Sequence, residues 1–145
     1  MYIQPELQER VKLFFDSRQQ HMGDHLDIKF TSIKKDEIRA TMPVDERTIQ
    51  PFGILHGGAS VVLAETLASV GAWLNLKGTE QTSVGIEINA NHIRSVKKGL
   101  QVQGVARPIS RGRKIHVWEI KIHNSEKNLV CVSRCTLAIV NSSRK

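Results

Sequence analysis

Cysteines, aromatic residues, acidic residues and long hydrophobic runs are all scarce in this chain of 145 residues, and each scarcity narrows the class of protein to which it can belong. It has two cysteines, which excludes the disulfide framework of small secreted domains. Cys131 and Cys135 lie four positions apart in an alternating, strand-like pattern, so about 13 Å separates them and they cannot bridge each other. We interpret both as reduced core or half-buried residues.

Aromatic residues make up 5% of the chain, and acidic residues are the minority, with 14 Asp and Glu against 21 Lys and Arg. The resulting charge of +7 raises nucleic acid as a partner, but no recognition motif accompanies it. A small ligand with phosphate groups would need only a smaller basic cluster. We interpret Arg144 and Lys145, at the C-terminus, as solvated surface charge.

The sequence also lacks long hydrophobic runs. A membrane-spanning helix needs roughly 20 apolar residues, and the longest run, about residues 60–76, contains Glu65 and Asn75. The first six residues show no secretory signal. We therefore expect one domain over residues 1–145, located in the cytoplasm and without a membrane partner.

Hydrophobic periodicity predicts an α+β fold, with an antiparallel sheet wrapped around one long helix. Residues 4–20 are typical of an amphipathic helix, and residues 24–53 contain two alternating, strand-like runs. A helix follows over residues 57–76, with Gly78 as its stop signal. Four further strands are predicted over residues 82–94, 99–109, 114–124 and 129–140, the first with Val84, Ile86, Ile88 and Ala90 on one face.

Glu65 conflicts with the character of this central helix. Apolar residues occupy every side of its helical wheel, so we expect the rest of the domain to enclose it. An unpaired carboxylate in such a place costs several kcal/mol or takes up a proton. Glu65 is therefore interpreted as a residue that takes part in chemistry; the alternative is a buried carboxylate paired with an arginine of a partner chain.

The start of the helix adds a second signal. His56, Gly57 and Gly58, followed by Leu63, Glu65 and Ser69, resemble the signature of the hotdog-fold acyl-CoA thioesterases. The most similar subgroup contains the Arthrobacter-type 4-hydroxybenzoyl-CoA thioesterase and the 1,4-dihydroxy-2-naphthoyl-CoA thioesterase. Segments 84–95 and 113–118 resemble the same subgroup, and the resemblance covers roughly residues 5–140.

The resemblance implies hydrolysis of an aryl- or hydroxyaryl-CoA thioester without a cofactor. It implies that the Gly57 amide donates to the oxyanion and that Glu65 acts as nucleophile or as general base. Gln50 and His56 are implied to position the thioester, although His56 could instead be a structural cap. Ser69, one turn after Glu65, would help to hold the water or the carboxylate.

The resemblance also implies a site for coenzyme A on two segments, one on the first strand after the helix and one in the following hairpin. Arginine suits its phosphates because the guanidinium group binds in a bidentate manner. Gly85 either lets the substrate lie close to the strand or marks a bulge. No metal site is expected, since the pair His21 and His25 spans a Gly-Asp break. The implied coenzyme A contacts are His92, Ile93, Arg94, Ser95, Ser110, Arg111, Gly112 and Arg113.

The assembly implied by the resemblance is a dimer, with two sheets joined edge to edge and two dimers forming a tetramer. Glu65 of one subunit would then face the helix start of its partner. Phe52, Val70 and Trp73 are proposed walls of an apolar acyl pocket. The alternatives are a thioesterase acting on acyl or aryl carrier protein, a non-catalytic acyl-CoA-binding module, a hotdog dehydratase and a nucleic-acid-binding protein.

Overall fold

The computed structural model describes residues 1–17 and 19–142, and Arg144 and Lys145 lie outside the described residues. The described part has the predicted α+β architecture, with a sheet packed around one long helix. The helices are α1 (Gln8–Ser17), α2 (Met22–His25) and α3 (Gly57–Leu74). The strands are β1 (Tyr2–Ile3), β2 (Lys29–Lys34), β3 (Glu37–Pro43), β4 (Gln81–His92), β5 (Gln101–Arg111), β6 (Ile115–Asn124) and β7 (Leu129–Asn141).

Within the described residues, the strands form one sheet of seven in the order β1-β2-β3-β5-β6-β7-β4. Neighbouring strands are antiparallel except for β1 and β2. The six predicted strands are confirmed. Strand β1 was not predicted, because two residues carry no periodic pattern. Gln4 anchors it: the Gln4 N–H donates to the Ile33 carbonyl at 2.9 Å, and the Gln4 side chain accepts from the Lys35 N–H at 2.9 Å.

The N-terminal segment is not the single helix predicted over residues 4–20. A 3-10 turn, Pro5–Leu7, leads into α1, and the short helix α2 begins separately after His21. Arg10 of α1 lies over the Trp73 ring, 4.4 Å from its centroid. The Arg10 Nη1 group also donates to the carbonyl groups of Leu76 and Gly78, both at 2.9 Å. Helix α1 therefore holds the C-terminal end of α3.

Helix α3 is the centre of the core and ends earlier than predicted. Its last residue is Leu74 and its C-cap is Asn75, while Gly78, with φ of +72°, lies in the turn beyond. By length and composition α3 could cross a membrane, which differs from the prediction that no run is long enough. However, 10 of its 18 residues are buried, and it contacts strands β3 to β7. That packing is typical of a core helix.

Strand β4 forms an open edge of the sheet, beside β7. The prediction that Val84, Ile86, Ile88 and Ala90 share one face is wrong, because a bulge after Gly85 leaves Ile86 unpaired and reverses the alternation. Ile88 and Ala90 pack against the core, whereas Val84 and Ile86 are 43% and 59% exposed. An exposed apolar edge of this kind is a template for pairing with another chain.

Strand β7 carries both cysteines. Cys131 and Cys135 are free and buried, as the sequence predicted. Burial, together with the charges of Glu65 and Glu87, raises the pKa of the Cys135 thiol to about 12. A thiol that remains protonated at neutral pH is a poor nucleophile, so Cys135 is a packing residue.

Candidate active site

The amide groups at the start of α3 are mostly occupied. His56 is the N-cap, and its Nδ1 atom accepts from the Gly58 N–H at 2.8 Å. The His56 carbonyl accepts from Ala59 and Ser60. Gly57 therefore holds the N–H group at this terminus that has no hydrogen-bond partner among the described residues. A free N–H at the positive end of a helix dipole favours an anion or a developing oxyanion.

This free N–H faces a cleft of about 320 Å³ between α3 and the end of β4. His92 lies directly against the helix start: a Cβ atom added to Gly57 would come within 2.7 Å of the His92 Nε2 atom. Gln50 reaches the cleft from the preceding turn, where its side chain accepts from the Phe52 N–H. The cleft thus brings together these predicted site residues: Gln50, Gly57, His92, Ile93, Arg94 and Ser95.

Glu65 lies in a different cleft, of about 390 Å³. Ser69 lines the same cleft, as predicted from its i+4 spacing, together with Phe14 of α1 and His21, the N-cap residue of α2. Glu65 is half-buried rather than enclosed, which corrects the expectation that the domain covers all sides of α3. Within the described part of the chain it forms no ion pair.

One chain does not bring Gly57 and Glu65 to a common point. Eight residues separate them on the same helix, which corresponds to about 12 Å along its axis. Their clefts share no lining residue. A thioester that contacts both groups must therefore meet them on two different chains, or must span both clefts.

An apolar cleft of about 260 Å³ adjoins the Glu65 cleft and shares Phe14, Ser69 and Val70 with it. Trp73 forms another wall, with its ring centroid 5.7 Å from that of Phe14. Two of the predicted acyl-pocket residues, Val70 and Trp73, therefore share a cleft. The third, Phe52, does not line it and is 89% exposed in the turn before α3. Phe14 was missed because it lies far away in the sequence, on a segment interpreted only as an amphipathic helix.

Strand β4 runs along α3 with its direction reversed, and contacts at both ends and in the middle show how the two elements are aligned. His92 lies against Gly57, and Gly85 lies under Glu65, where an added Cβ atom would overlap the Oε1 atom of the carboxylate. Further along, the Ser83 hydroxyl group donates to the Ser69 carbonyl at 3.1 Å. Gly85 also begins the bulge of β4, one of the two alternatives that the sequence left open.

The predicted hairpin contacts lie at the other end of α3. Arg111 donates to the Asn75 Oδ1 atom at 2.8 Å and to the Lys35 carbonyl at 3.2 Å, and it pairs with Asp36 at 2.7 Å. Ser110, Gly112 and Arg113 are exposed beside it. Helix α3 is about 27 Å long, so residues 110–113 and residues 92–95 of the same chain lie far apart, at opposite ends of the helix. Their role in binding coenzyme A stays a prediction.

The chain resembles known proteins over most of its length. Residues 52–131 match the family model described as "Thioesterase superfamily". The 1,4-dihydroxy-2-naphthoyl-CoA hydrolase of Escherichia coli is 52% identical over 120 residues, which are 83% of this chain and 87% of that protein. A proofreading thioesterase of Cronobacter sakazakii is 48% identical over 119 residues, 82% of this chain and 85% of that one. The crystal structure of a thioesterase of Haemophilus influenzae, 46% identical, superposes with a TM-score of 0.82 over 94% of this chain and 92% of that chain.

Proposed function

Because the chain belongs to the thioesterase superfamily and is a thioester hydrolase, we propose that it hydrolyses an aryl- or hydroxyaryl-CoA to the free acid and coenzyme A. The observation that supports this most directly is the placement of two chemically distinct groups on one helix. Gly57 offers a free N–H at the helix start, and Glu65 offers a carboxylate in a separate cleft further along the helix. We further infer that the protein acts in the cytoplasm.

The proposed reaction uses these two groups at different atoms of the substrate. As the thioester carbonyl is attacked, negative charge develops on its oxygen, and the Gly57 N–H and the helix dipole stabilise that charge. Glu65 either takes a proton from the attacking water or itself attacks the carbonyl carbon to give an anhydride. In both cases the C–S bond breaks, and the thiolate of coenzyme A leaves and is protonated. On the general-base route the attacking water supplies the second oxygen of the acid. On the nucleophilic route a water molecule then hydrolyses the anhydride, which releases the acid and restores the Glu65 carboxylate.

A second copy of the chain would complete the site. The open edge of β4, with Val84 and Ile86 exposed, offers a surface on which two sheets can join. In such a dimer, Glu65 of one subunit can approach Gly57 of the other, which removes the separation of about 12 Å within one helix. The same pairing can bring residues 92–95 and 110–113 to one coenzyme A molecule. We propose a dimer of this kind, and a tetramer of two dimers.

The preference for an aryl group rests on the cleft next to Glu65. Phe14, Val70 and Trp73 supply apolar and aromatic walls for a flat ring. Thr82 and Ser83 place hydroxyl groups on the lining of the same cleft. These groups can hydrogen-bond with ring hydroxyl groups of an acyl moiety, so hydroxyaryl substrates are favoured over aliphatic chains.

The test is a thiol-release assay with 1,4-dihydroxy-2-naphthoyl-CoA, 4-hydroxybenzoyl-CoA, benzoyl-CoA and a series of aliphatic acyl-CoAs. We expect kcat/KM for the hydroxyaryl thioesters to exceed that for the aliphatic series by at least about tenfold, the discrimination that one or two well-placed contacts provide. No turnover above the enzyme-free rate with any thioester would contradict the proposed activity. Equal rates with aryl and aliphatic groups would contradict only the proposed substrate class.

A second candidate substrate is the same acyl group carried by a carrier protein. It is favoured by the 48% identity to a proofreading thioesterase. To test this candidate, the same hydroxyaryl group is loaded on coenzyme A and on a phosphopantetheinylated aryl carrier protein. The kcat/KM values of the enzyme for these two substrates are then compared. A higher value on the carrier protein would make it the substrate, because the protein surface would then contribute binding that coenzyme A lacks.

A further inference from the structure

The carboxylate of Glu65 rests on the one position of β4 where the strand presents no side chain to it. Gly85 lies beneath the carboxylate, and a Cβ atom built there would overlap the Oε1 atom. Among the described residues other than Gly85 and its two chain neighbours, the only other atom within 4 Å of that added carbon is the carboxyl carbon of the same side chain. The space above Gly85 is therefore occupied by Glu65.

The position of Gly85 relative to Glu65 is fixed on both sides along the strand. Ser83 bonds to the Ser69 carbonyl, one turn after Glu65, and His92 lies against Gly57 at the helix start. The bulge after Gly85 sets which residue of β4 meets the carboxylate. Without the bulge, the alternation of side chains along β4 would turn each residue after Gly85 to the opposite face of the sheet.

The neighbouring strand β7 places a cysteine near the carboxylate. Cys135 is near enough for the Glu65 charge to contribute to its raised pKa, and it is fully buried. Neither a thiol nor a glycine can hold a carboxylate by an ion pair. Within the described residues no ion pair fixes the carboxylate, and Gly85 is the position of β4 that lies directly beneath it.

We propose that Gly85 is a positioning residue for Glu65, and that the missing Cβ atom allows the carboxylate to reach its working position. The proposal rests on the proposed function, since it assigns Gly85 a role through the catalytic carboxylate. It differs from the role implied by the family resemblance, in which the strand backbone at Gly85 lies against the substrate. The two roles predict different responses to a single added methyl group.

An alanine at position 85 should be tolerated by the fold. The φ angle of Gly85 is not in the left-handed region, so the backbone conformation suits an L-residue. The atom in the way is the far end of a flexible side chain, which can rotate aside. The carboxylate would move by about 1 Å, and a displacement of that size can cost about 10²-fold in rate.

The experiment compares Gly85→Ala with Gly104→Ala. A Cβ atom at Gly104 would also lie between the sheet and α3, 2.6 Å from the Leu67 Cδ1 atom, but it touches no proposed site residue. We expect Gly85→Ala to lower kcat about 10²-fold with KM changed less than about threefold. Gly104→Ala should keep kcat near the wild-type value. Equal kcat values for the two variants would overturn the proposal.

A second measurement separates positioning from substrate contact. The dissociation constant of phenacyl-CoA, a thioether that cannot be hydrolysed, is measured with Glu65→Ala and with Glu65→Ala/Gly85→Ala. If Gly85 acts through Glu65, the two constants agree. A tenfold weaker affinity in the double variant would show that Gly85 contacts the substrate and would overturn the proposal.

Whether the Gly85→Ala variants fold provides a further test of the contact between Gly85 and Glu65. A Gly85→Ala chain that folds only when Glu65→Ala is added supports the same contact, because removing the carboxylate removes the overlap. A chain that fails to fold in both backgrounds overturns it. Wild-type protein that hydrolyses no thioester would contradict the proposed function itself, whereas active wild-type protein with an equally active Gly85→Ala variant contradicts only the role of Gly85.

Discussion

The imidazole group of His92 packs directly on Gly57, so that a Cβ atom on the glycine would lie 2.7 Å from the Nε2 atom. This contact places a polar, titratable side chain beside the free N–H proposed to bind the oxyanion. It also explains why the residue at the helix start must be glycine, since a methyl group there would displace His92 or turn the amide group away.

We therefore expect Gly57→Ala to lower kcat about 10²-fold, within the range measured for the loss of one oxyanion donor. The double variant Gly57→Ala/His92→Ala separates the two causes. If the methyl group acts by pushing His92, the alanine at position 57 adds little to the loss caused by His92→Ala. Stopped-flow or steady-state thiol release provides the rates. Wild-type kcat in Gly57→Ala would remove the Gly57 amide from the mechanism.

Glu65→Gln should lower kcat by about 10² to 10⁴, because the amide group keeps the shape but cannot act as base or nucleophile. Glu65→Asp should also lose activity, since the shorter side chain withdraws the carboxylate from the reacting atoms. The thermal midpoint should change little in both, as Glu65 has no ion pair within the described residues. Ser83→Ala, which alters a contact of β4 without touching the carboxylate, is a control for stability. Unchanged turnover in Glu65→Gln would exclude the proposed chemistry.

The sequence was sufficient to nominate the parts of the candidate site that depend on local pattern. Glu65 was identifiable because one charge interrupts an otherwise apolar helix, and the helix start was identifiable from His56 and the two glycines after it. The i+4 relation of Ser69 to Glu65 follows from helix geometry alone. These features depend on residues within one element, so one sequence is enough to recognise them.

The parts that were missed depend on contacts between distant elements. Apolar residues alternate in the sequence without interruption at Ile86, so the pattern does not reveal the bulge there. The predicted common face of β4 was wrong for that reason. The contacts of Arg111 with Asp36 and Asn75 join three segments that no local pattern connects. Phe14 likewise meets Trp73 only because α1 folds across α3. Tertiary packing decides all three.

Complementation tests the proposal that two chains share each site. A dimer made of one Glu65→Gln subunit and one Gly57→Ala subunit contains one intact site and one site with both changes. Random mixing of the two inactive proteins should therefore restore about one quarter of the wild-type activity, since half of the dimers are mixed and each has one of two sites intact. The activity is measured after the subunits have been dissociated and reassembled. No recovery in mixed dimers verified by mass spectrometry would place both groups in one chain.

The exposed edge of β4 predicts how the proposed dimer can be broken. Ile86→Lys should shift the protein towards monomer in sedimentation experiments, because a lysine at a strand edge opposes pairing with another strand. Activity should fall in parallel although Glu65 and Gly57 are unchanged. Leu13→Lys is the matched control, since Leu13 is 57% exposed on α1 and Ile86 is 59% exposed. A monomer with full activity would mean that one chain suffices.

His116 predicts a loss of stability on the acid side of neutrality. It is 4% exposed on β6, and burial together with the Arg111 charge lowers its pKa below the ordinary value near 6.5. As the pH falls through the unfolded-state value of about 6.5, the unfolded chain takes up a proton that the folded chain does not, so the free energy of unfolding decreases. The decrease should reach at most about 1.4 kcal/mol per pH unit and continue until the folded-state pKa is reached.

Urea unfolding between pH 7.5 and 5.5 measures this decrease in the free energy of unfolding, with His116→Gln as the variant that lacks this titration. We expect the wild-type protein to lose more stability than the variant over this interval, because only the wild-type chain carries the buried neutral imidazole; equal losses would mean that other groups control the acid response.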